Sequence, residues 1–285
     1  MPFTITREEG TPVYTLRKKC GSIGKHGLLV LLSLLAVFPL YWMVVSSFKN
    51  QGEIFGTAFW PAAPTLENYT YAFEQMPISR MLLNSFIIAI AMTALQLLTS
   101  ILAAYALTRW QFKGRGILYT MLTLTWLIPA QATMIPNYIQ VNEWGLQGNP
   151  LAIVLPFAAS AFAVISMYQG FNQFPRALID AARLDGAGEW QILTRVVLPP
   201  MKATISSLGI LLFINSWNEY LWPMLVTKKL ESAPIQIGIK SFVSSDVNMW
   251  GSLMAATTIS CLPILIIYII LQRHIVDSFM KWGIK

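Results

Sequence analysis

The chain has 285 residues, 55% of them hydrophobic and only 12% charged, with a mean hydropathy of +0.55. Soluble domains carry roughly 25% charged residues, so a water-soluble domain is excluded and an integral membrane protein, with lipid as its first partner, is indicated. The net charge of +7 does not mark a nucleic-acid binder, because the basic residues are spread over separate polar segments without a dense patch interleaved with aromatics.

Six apolar stretches reach or approach the roughly 20 residues that a helix needs to cross about 30 Å of hydrocarbon. They lie at 28–47, 82–107, 117–136, 151–169, 204–226 and 251–271. The expected fold is an all-α integral membrane protein: an N-terminal tail over 1–27, a six-helix transmembrane domain over 28–272 and a C-terminal tail over 273–285. The first tail carries Arg7, Glu8, Glu9, Arg17, Lys18, Lys19 and Lys25 with no small-residue cleavage signature, so the first span reads as an uncleaved anchor. Of the twenty Lys and Arg, all but Lys49, Arg80, Lys228, Lys229 and Lys240 fall on the side of the two tails. The positive-inside rule therefore places both termini, and the polar segment over 171–200, in the cytoplasm. Cys20 in the tail and Cys261 in the last span cannot readily meet, which excludes a disulfide framework.

In chain order, the first span has Pro39, and Tyr41 and Trp42 where an interfacial aromatic belt would lie. An outer loop over 48–80, rich in Pro and aromatics, is expected to be partly structured. The second span carries Asn84, Gln96, Thr99 and Ser100, and the third Pro129, Gln131 and Pro136. Such residues are costly against lipid and face a neighbour or a water-lined path. A short outer link over 137–150 leads to the fourth span with Pro156. The fifth contains Phe213 to Pro223, FINSWNEYLWP, and the sixth is interrupted by Pro263.

Between the fourth and fifth spans, Phe171 to Pro200 carries three acids and three arginines among several Gly and Pro. Pro175 suits a helix start, where its missing N–H has no intrahelical use. Leu178, Ala181, Ala182 and Asp185 follow at i, i+3, i+4 and i+7, one face of that helix. Gly186 is placed to end it in a left-handed conformation, and a second helix over Glu189 to Val197 is stopped by Pro199 and Pro200. Two small alanines, the apolar Leu178 and the acids Asp180 and Asp185 suit a helix that enters a groove on a partner. A helix lying on the bilayer would need a strongly basic polar face, which is missing.

Asp180-Ala181-Ala182, three residues, Gly186, nine residues, Val196, one residue, Leu198-Pro199 resembles the EAA motif of bacterial ABC-importer permeases, E-A-A-x3-G-x9-I-x-L-P. Asp180 stands for the usual Glu and Val196 for Ile. Asn84-Ser85-Phe86, Ala104 to Arg109 with Phe112 to Arg115, Trp217 to Pro223, and Gln272-Arg273 with Ile275-Val276 are similar to the smaller permease subunit of maltose-type carbohydrate importers. The ending Phe279 to Lys285 departs from that pattern. The resemblance implies the type I ABC importer permease fold and no catalytic or metal site. It further implies a second, different permease subunit, a cytoplasmic ATPase dimer that holds the ATP and Mg, and an extracytoplasmic solute-binding protein. The loop would be a coupling helix seated in an ATPase cleft, through Leu178, Asp180, Ala181, Ala182, Asp185, Gly186, Leu198 and Pro199. Asn84, Gln131, Asn215, Trp217, Asn218, Glu219 and Tyr220 would line the translocation pathway. The fifth-span residues equally suit packing against the partner permease or gating of the outer mouth.

An enzyme is not expected. Gly24-Lys25 lacks the upstream Gly of a Walker A loop, with Lys19 in its place, and the only histidines, His26 and His274, allow neither a zinc pair nor a histidine-based triad. The competing class is a self-sufficient transporter driven by an ion gradient. It would want membrane-buried acids or His, and no acid lies deep in any expected span. Neutral disaccharides, longer oligosaccharides, uronic-acid oligomers and glycerol phosphates all remain open as cargo. The outer Lys228, Lys229 and Lys240 lean weakly toward an acidic solute.

Overall fold

In the computed structural model, which describes residues 12–243 and 249–283 (side chains over 24–243 and 249–270), the regular elements are helices. They are α1 (Pro12–Ser47), α2 (Glu67–Gln75), α3 (Ile78–Arg109), α4 (Arg115–Trp126), α5 (Ala130–Glu143), α6 (Leu151–Val154) and α7 (Ala161–Asn172). There follow α8 (Arg176–Leu184), α9 (Glu189–Gln191), α10 (Lys202–Asn218), α11 (Leu221–Val226), α12 (Ile235–Ser241) and α13 (Trp250–Gly283). The expected tail residues before Pro12, with Ile284 and Lys285, lie outside the described residues, as does the side chain of Cys20; Cys261 is a free, half-buried thiol.

Among the described residues, Gly24–Ser47 of α1, the whole of α3 and Trp250–Ile270 of α13 are long and apolar enough to cross a bilayer unaided. The 32 residues of α3 contain no Gly or Pro, so nothing interrupts the ladder. Between Gln272 and Gly283 there is likewise no helix breaker, and α13 runs through most of the expected C-terminal tail.

The remaining three expected spans are not continuous helices. Pro129 lacks an N–H, disfavours a helical residue before it and is itself extended, so the third is split into α4 and α5. Helix α5 then runs to Glu143, and half of the expected link over 137–150 is helical. The fourth breaks around Pro156, where a short 3-10 turn (Leu155–Phe157) joins α6 to α7 at a 47° bend. The fifth breaks at Glu219, whose backbone is extended, before α11. Counting α6 to α7 as one span, and Glu189–Val197 with α10 as another, gives at most five. That second pair meets at 89°, which makes Glu189–Val197 a corner and not a continuation of α10.

A broken helix inside hydrocarbon leaves carbonyls that no water can satisfy. At the Pro156 bend they are met by α3: Gln96 Nε2 donates to the Phe157 carbonyl at 2.8 Å, and Thr99 Oγ1 to that of Ala158 at 3.1 Å. Ser160 then caps α7, its hydroxyl oxygen accepting the Ala163 N–H at 3.3 Å. At the end of α1, the buried Asn68 donates to the carbonyls of Ser47 and Lys49 at 3.0 and 2.7 Å. The buried Lys49 donates to Ala58 and sits over the Trp42 ring. Helix α3 packs against α7 and α10, and α1 packs on α13. The apolar side chains of α1 from Leu28 to Leu40 remain exposed, as a lipid-facing helix requires.

Replacing Gln96 by Leu strands the Phe157 carbonyl in an apolar wall. Thermal unfolding of the purified protein in detergent is expected to show a loss of about 1–3 kcal/mol.

Candidate functional site

Two regions carry the sequence-predicted residues. The first is the loop between α7 and α10. Its bend is a Schellman cap: the Ala187 N–H donates to the Ala182 carbonyl and the Gly186 N–H to that of Arg183, both at 3.0 Å. Gly186 has φ +82°, and a Cβ built there would meet nothing within 4 Å. Glycine is therefore required by backbone conformation and not by space. Beyond the bend, Gln191 accepts the Gly188 N–H at 3.1 Å, and α9 continues as a π-helical segment over Ile192–Val197 that ends where Pro199 and Pro200 follow.

The α8 faces differ from the expected grouping by one position. Ile179 is buried and Ala182 half-buried against the core formed by Phe171, Ile192 and Val197, so Ala182 belongs to the inner face. Leu178, Asp180, Ala181, Asp185 and Gly186 are exposed, while Leu198 is half-buried against the same core and Pro199 is exposed. Two apolar residues that the motif did not single out stand further out: Leu184 is 90% exposed and Trp190 66%, against 52% for Leu178. Leu184 could have been found as the apolar residue just before the cap.

A polar tie holds this loop to α3. Glu189 accepts from Tyr105 Oη at 2.8 Å and from Arg183 Nε and Nη2 at 3.0 and 2.7 Å. One carboxylate thus joins α8, α9 and the loop end of α3. Arg109 adds a hydrogen bond to the Phe171 carbonyl at 3.1 Å. Asp180 lies 3.8 Å from Arg183 in an exposed pair that contributes little. Partial burial pushes the Glu189 carboxyl upward, but the hydrogen bonds from Tyr105 and Arg183 outweigh it and hold the group below its ordinary value.

The second region is a half-open cavity of about 490 Å³ lined from α3, α4, α5, α6, α7, α10 and α11. Asn215 of α10 and Glu219 at its C-cap line it together with Gln96, Ser160, Ser216, Trp126, Phe162 and Trp222. Glu219 also caps α11 by accepting the Trp222 N–H at 3.3 Å. The Trp222 indole donates to the Ala152 carbonyl, fixing α11 on α6.

The other predicted pathway residues are placed elsewhere. Trp217 is 1% exposed and stacks on Phe213 in a core with Met76, Met81 and Ile235, so its helical phase turns it away from the cavity. Asn84 donates to the carbonyls of Glu231 and Ala233, clamping the segment before α12. Gln131 is exposed between Ala130 and Met134, which do line the cavity. Asn218 donates to the Ile214 carbonyl and accepts from Gln236, and Tyr220 donates to Met224 Sδ at 2.8 Å. Gln96 was visible as a polar residue in an apolar run, and Trp222 lay in the Trp217 to Pro223 segment; Ser160, Ser216, Trp126, Phe157 and Phe162 had no sequence signal.

Because the Glu189 carboxyl is depressed in the fold, the tie's stabilisation is present above the ordinary carboxylate value of 4.5 and is lost as pH falls through the lower folded value. Backbone hydrogen exchange over 176–197 is expected to lose protection in that acid window, and Glu189→Gln to abolish the pH-dependent step.

Residues 96–281 match the family described as binding-protein-dependent transport system inner membrane component. The chain is 33% identical over 272 residues to the lactose transport system permease protein LacG of Rhizobium radiobacter, covering 93% of this chain and 97% of that one. It is 30% identical to the sn-glycerol-3-phosphate transport system permease protein UgpE of Yersinia pestis, over 90% of this chain and 94% of the relative. Among solved structures it resembles a chain of a bacterial ABC transporter involved in the import of the acidic polysaccharide alginate. That match has a TM-score of 0.78 and 25% identity, over 92% of this chain and 99% of that one. The chain belongs to the binding-protein-dependent transport system inner membrane component family, as a permease subunit of an ABC importer and not its ATPase.

Proposed function

We propose that this permease forms one half of a sugar pathway in the bacterial inner membrane, with both termini cytoplasmic, the α8–α9 loop seated in a partner ATPase and the α10 cavity facing the solute. In this reading the split helices α4 with α5, α6 with α7 and α10 with α11 each serve as one span, giving six with α1, α3 and α13. A second, different permease subunit closes the pathway, an ATPase pair supplies the ATP and Mg, and an external binding protein delivers the solute.

The observation that carries the reading is the exposure of Leu178, Leu184 and Trp190 around a capped, internally tied bend. Three apolar knobs on a polar loop lose free energy in water and gain it in a groove. The tie through Glu189 makes the bend stiff enough to pass on a displacement. ATPase closure would then move the loop and reopen the cavity outward, a rigid-body alternation about a central site.

Reconstitution of all four components tests this. ATP hydrolysis that rises only with loaded binding protein is expected, and transport by this chain alone would show instead a self-sufficient transporter. Gly186→Leu carries a left-handed backbone penalty of about 1–2 kcal/mol and is expected to uncouple ATP hydrolysis from import, with Gly186→Asn milder. Leu184→Asp is expected to weaken ATPase association in a pull-down of the assembled complex while leaving the fold intact, since Leu184 packs on almost nothing.

A further inference from the structure

Kinship leaves the charge class of the cargo undecided, because the similar proteins are named for lactose, for sn-glycerol 3-phosphate and for alginate. The cavity wall is more specific. Fourteen described residues line it, and none is Lys, Arg or His. Its one charged group is the Glu219 carboxylate, which shares the wall with Asn215 and Ser216 of α10, with the Ser160 hydroxyl and the Gln96 carboxamide completing the polar set. One Glu219 oxygen accepts the Trp222 N–H. Its second oxygen has no partner among the described residues and is free to accept from a hydroxyl. Two aromatic pairs stand beside these groups, Trp126 with Phe162 at 5.7 Å and Phe157 with Trp222 at 5.6 Å.

This set fits a sugar whose hydroxyls donate to a carboxylate and carboxamides while its C–H faces lie on aromatic rings. It does not fit an anion. A carboxylated or phosphorylated solute would bring a like charge toward Glu219 in a wall of low polarity, with no cation among the described lining residues to offset it. The outer lysines do not change this. Lys228 lies along Gly148, and none of Lys228, Lys229 or Lys240 reaches the cavity wall.

We propose that the cavity admits an uncharged, hydroxyl-rich sugar and disfavours carboxylated or phosphorylated ones, with Glu219 as the residue that makes the distinction. The assignment rests on the importer reading above, which places solute in this cavity.

The test uses the complete permease–ATPase complex in nanodiscs, read by intrinsic fluorescence, since Trp126 and Trp222 form part of the wall. Cellobiose and its uronic acid counterpart, cellobiouronate, share one scaffold and differ in charge. The unaltered complex is expected to bind the neutral sugar at least about tenfold more tightly. In Glu219→Gln, which keeps an oxygen for the Trp222 N–H, the gap should close to within about twofold. Equal binding of the two sugars by the unaltered complex, an unchanged gap in Glu219→Gln, or no response to either sugar overturns the assignment. The first comparison needs no variant, so it stands even if the substitution fails to assemble. A failure of the importer reading is distinguished by a separate measurement: ATP hydrolysis that never responds to loaded binding protein overturns both.

Discussion

Backbone carbonyls freed at a helix break have no water to turn to inside hydrocarbon, and this protein contains such breaks at Pro129, Pro156 and Glu219. The hydrogen bonds from Gln96 and Thr99 to Phe157 and Ala158 are what allow the α6–α7 bend to persist. They also decide where the cavity can be. A straight fourth span would draw Phe157 and Ser160 into a regular ladder, whereas the bend sets both residues into the cavity wall. At the fifth-span break Glu219 instead satisfies a freed N–H, that of Trp222, whose indole donates to the Ala152 carbonyl of α6 and whose ring packs against Phe157.

Helix α3 links the two functional regions because it is the long helix without interruption at the centre of the bundle. Tyr105, near its loop end, holds Glu189; Gln96, nine residues earlier and roughly 13 Å along the axis, holds the bend at the cavity. A displacement of the loop therefore has a stiff element to act on. Arg183 and Glu189 come from the two arms of the loop, so the carboxylate that anchors the loop also closes its angle.

The loop and the cavity differ in what they disclose. The loop exposes apolar residues at its bend, away from the cavity wall, and its motif identifies the kind of machine. If solute passes through the cavity as proposed, the balance of one carboxylate, two carboxamides and paired aromatics in its wall is informative where family membership is not.

Hydropathy identified a membrane protein, and periodicity with turn chemistry placed the two loop helices and the left-handed Gly186, because these depend on local backbone preference and on the apolar content of a window. The Asp180 to Pro199 spacing carried the family. The continuity of the spans was less legible: a proline announces a break but not whether a neighbouring helix will host the freed carbonyls, and that depends on Gln96 and Thr99, some sixty residues away in the chain. Side-chain direction was the other limit. In Phe213 to Pro223 every polar or aromatic residue reads alike, yet the phase of α10 sends Asn215 and Glu219 into the cavity and Trp217 into the core. The partners of Glu189 were equally unreadable, since Tyr105 and Arg183 meet it only once α3 and the loop have packed. Local physics written in the chain set the composition of each element, and tertiary packing alone decided which of its faces does the work.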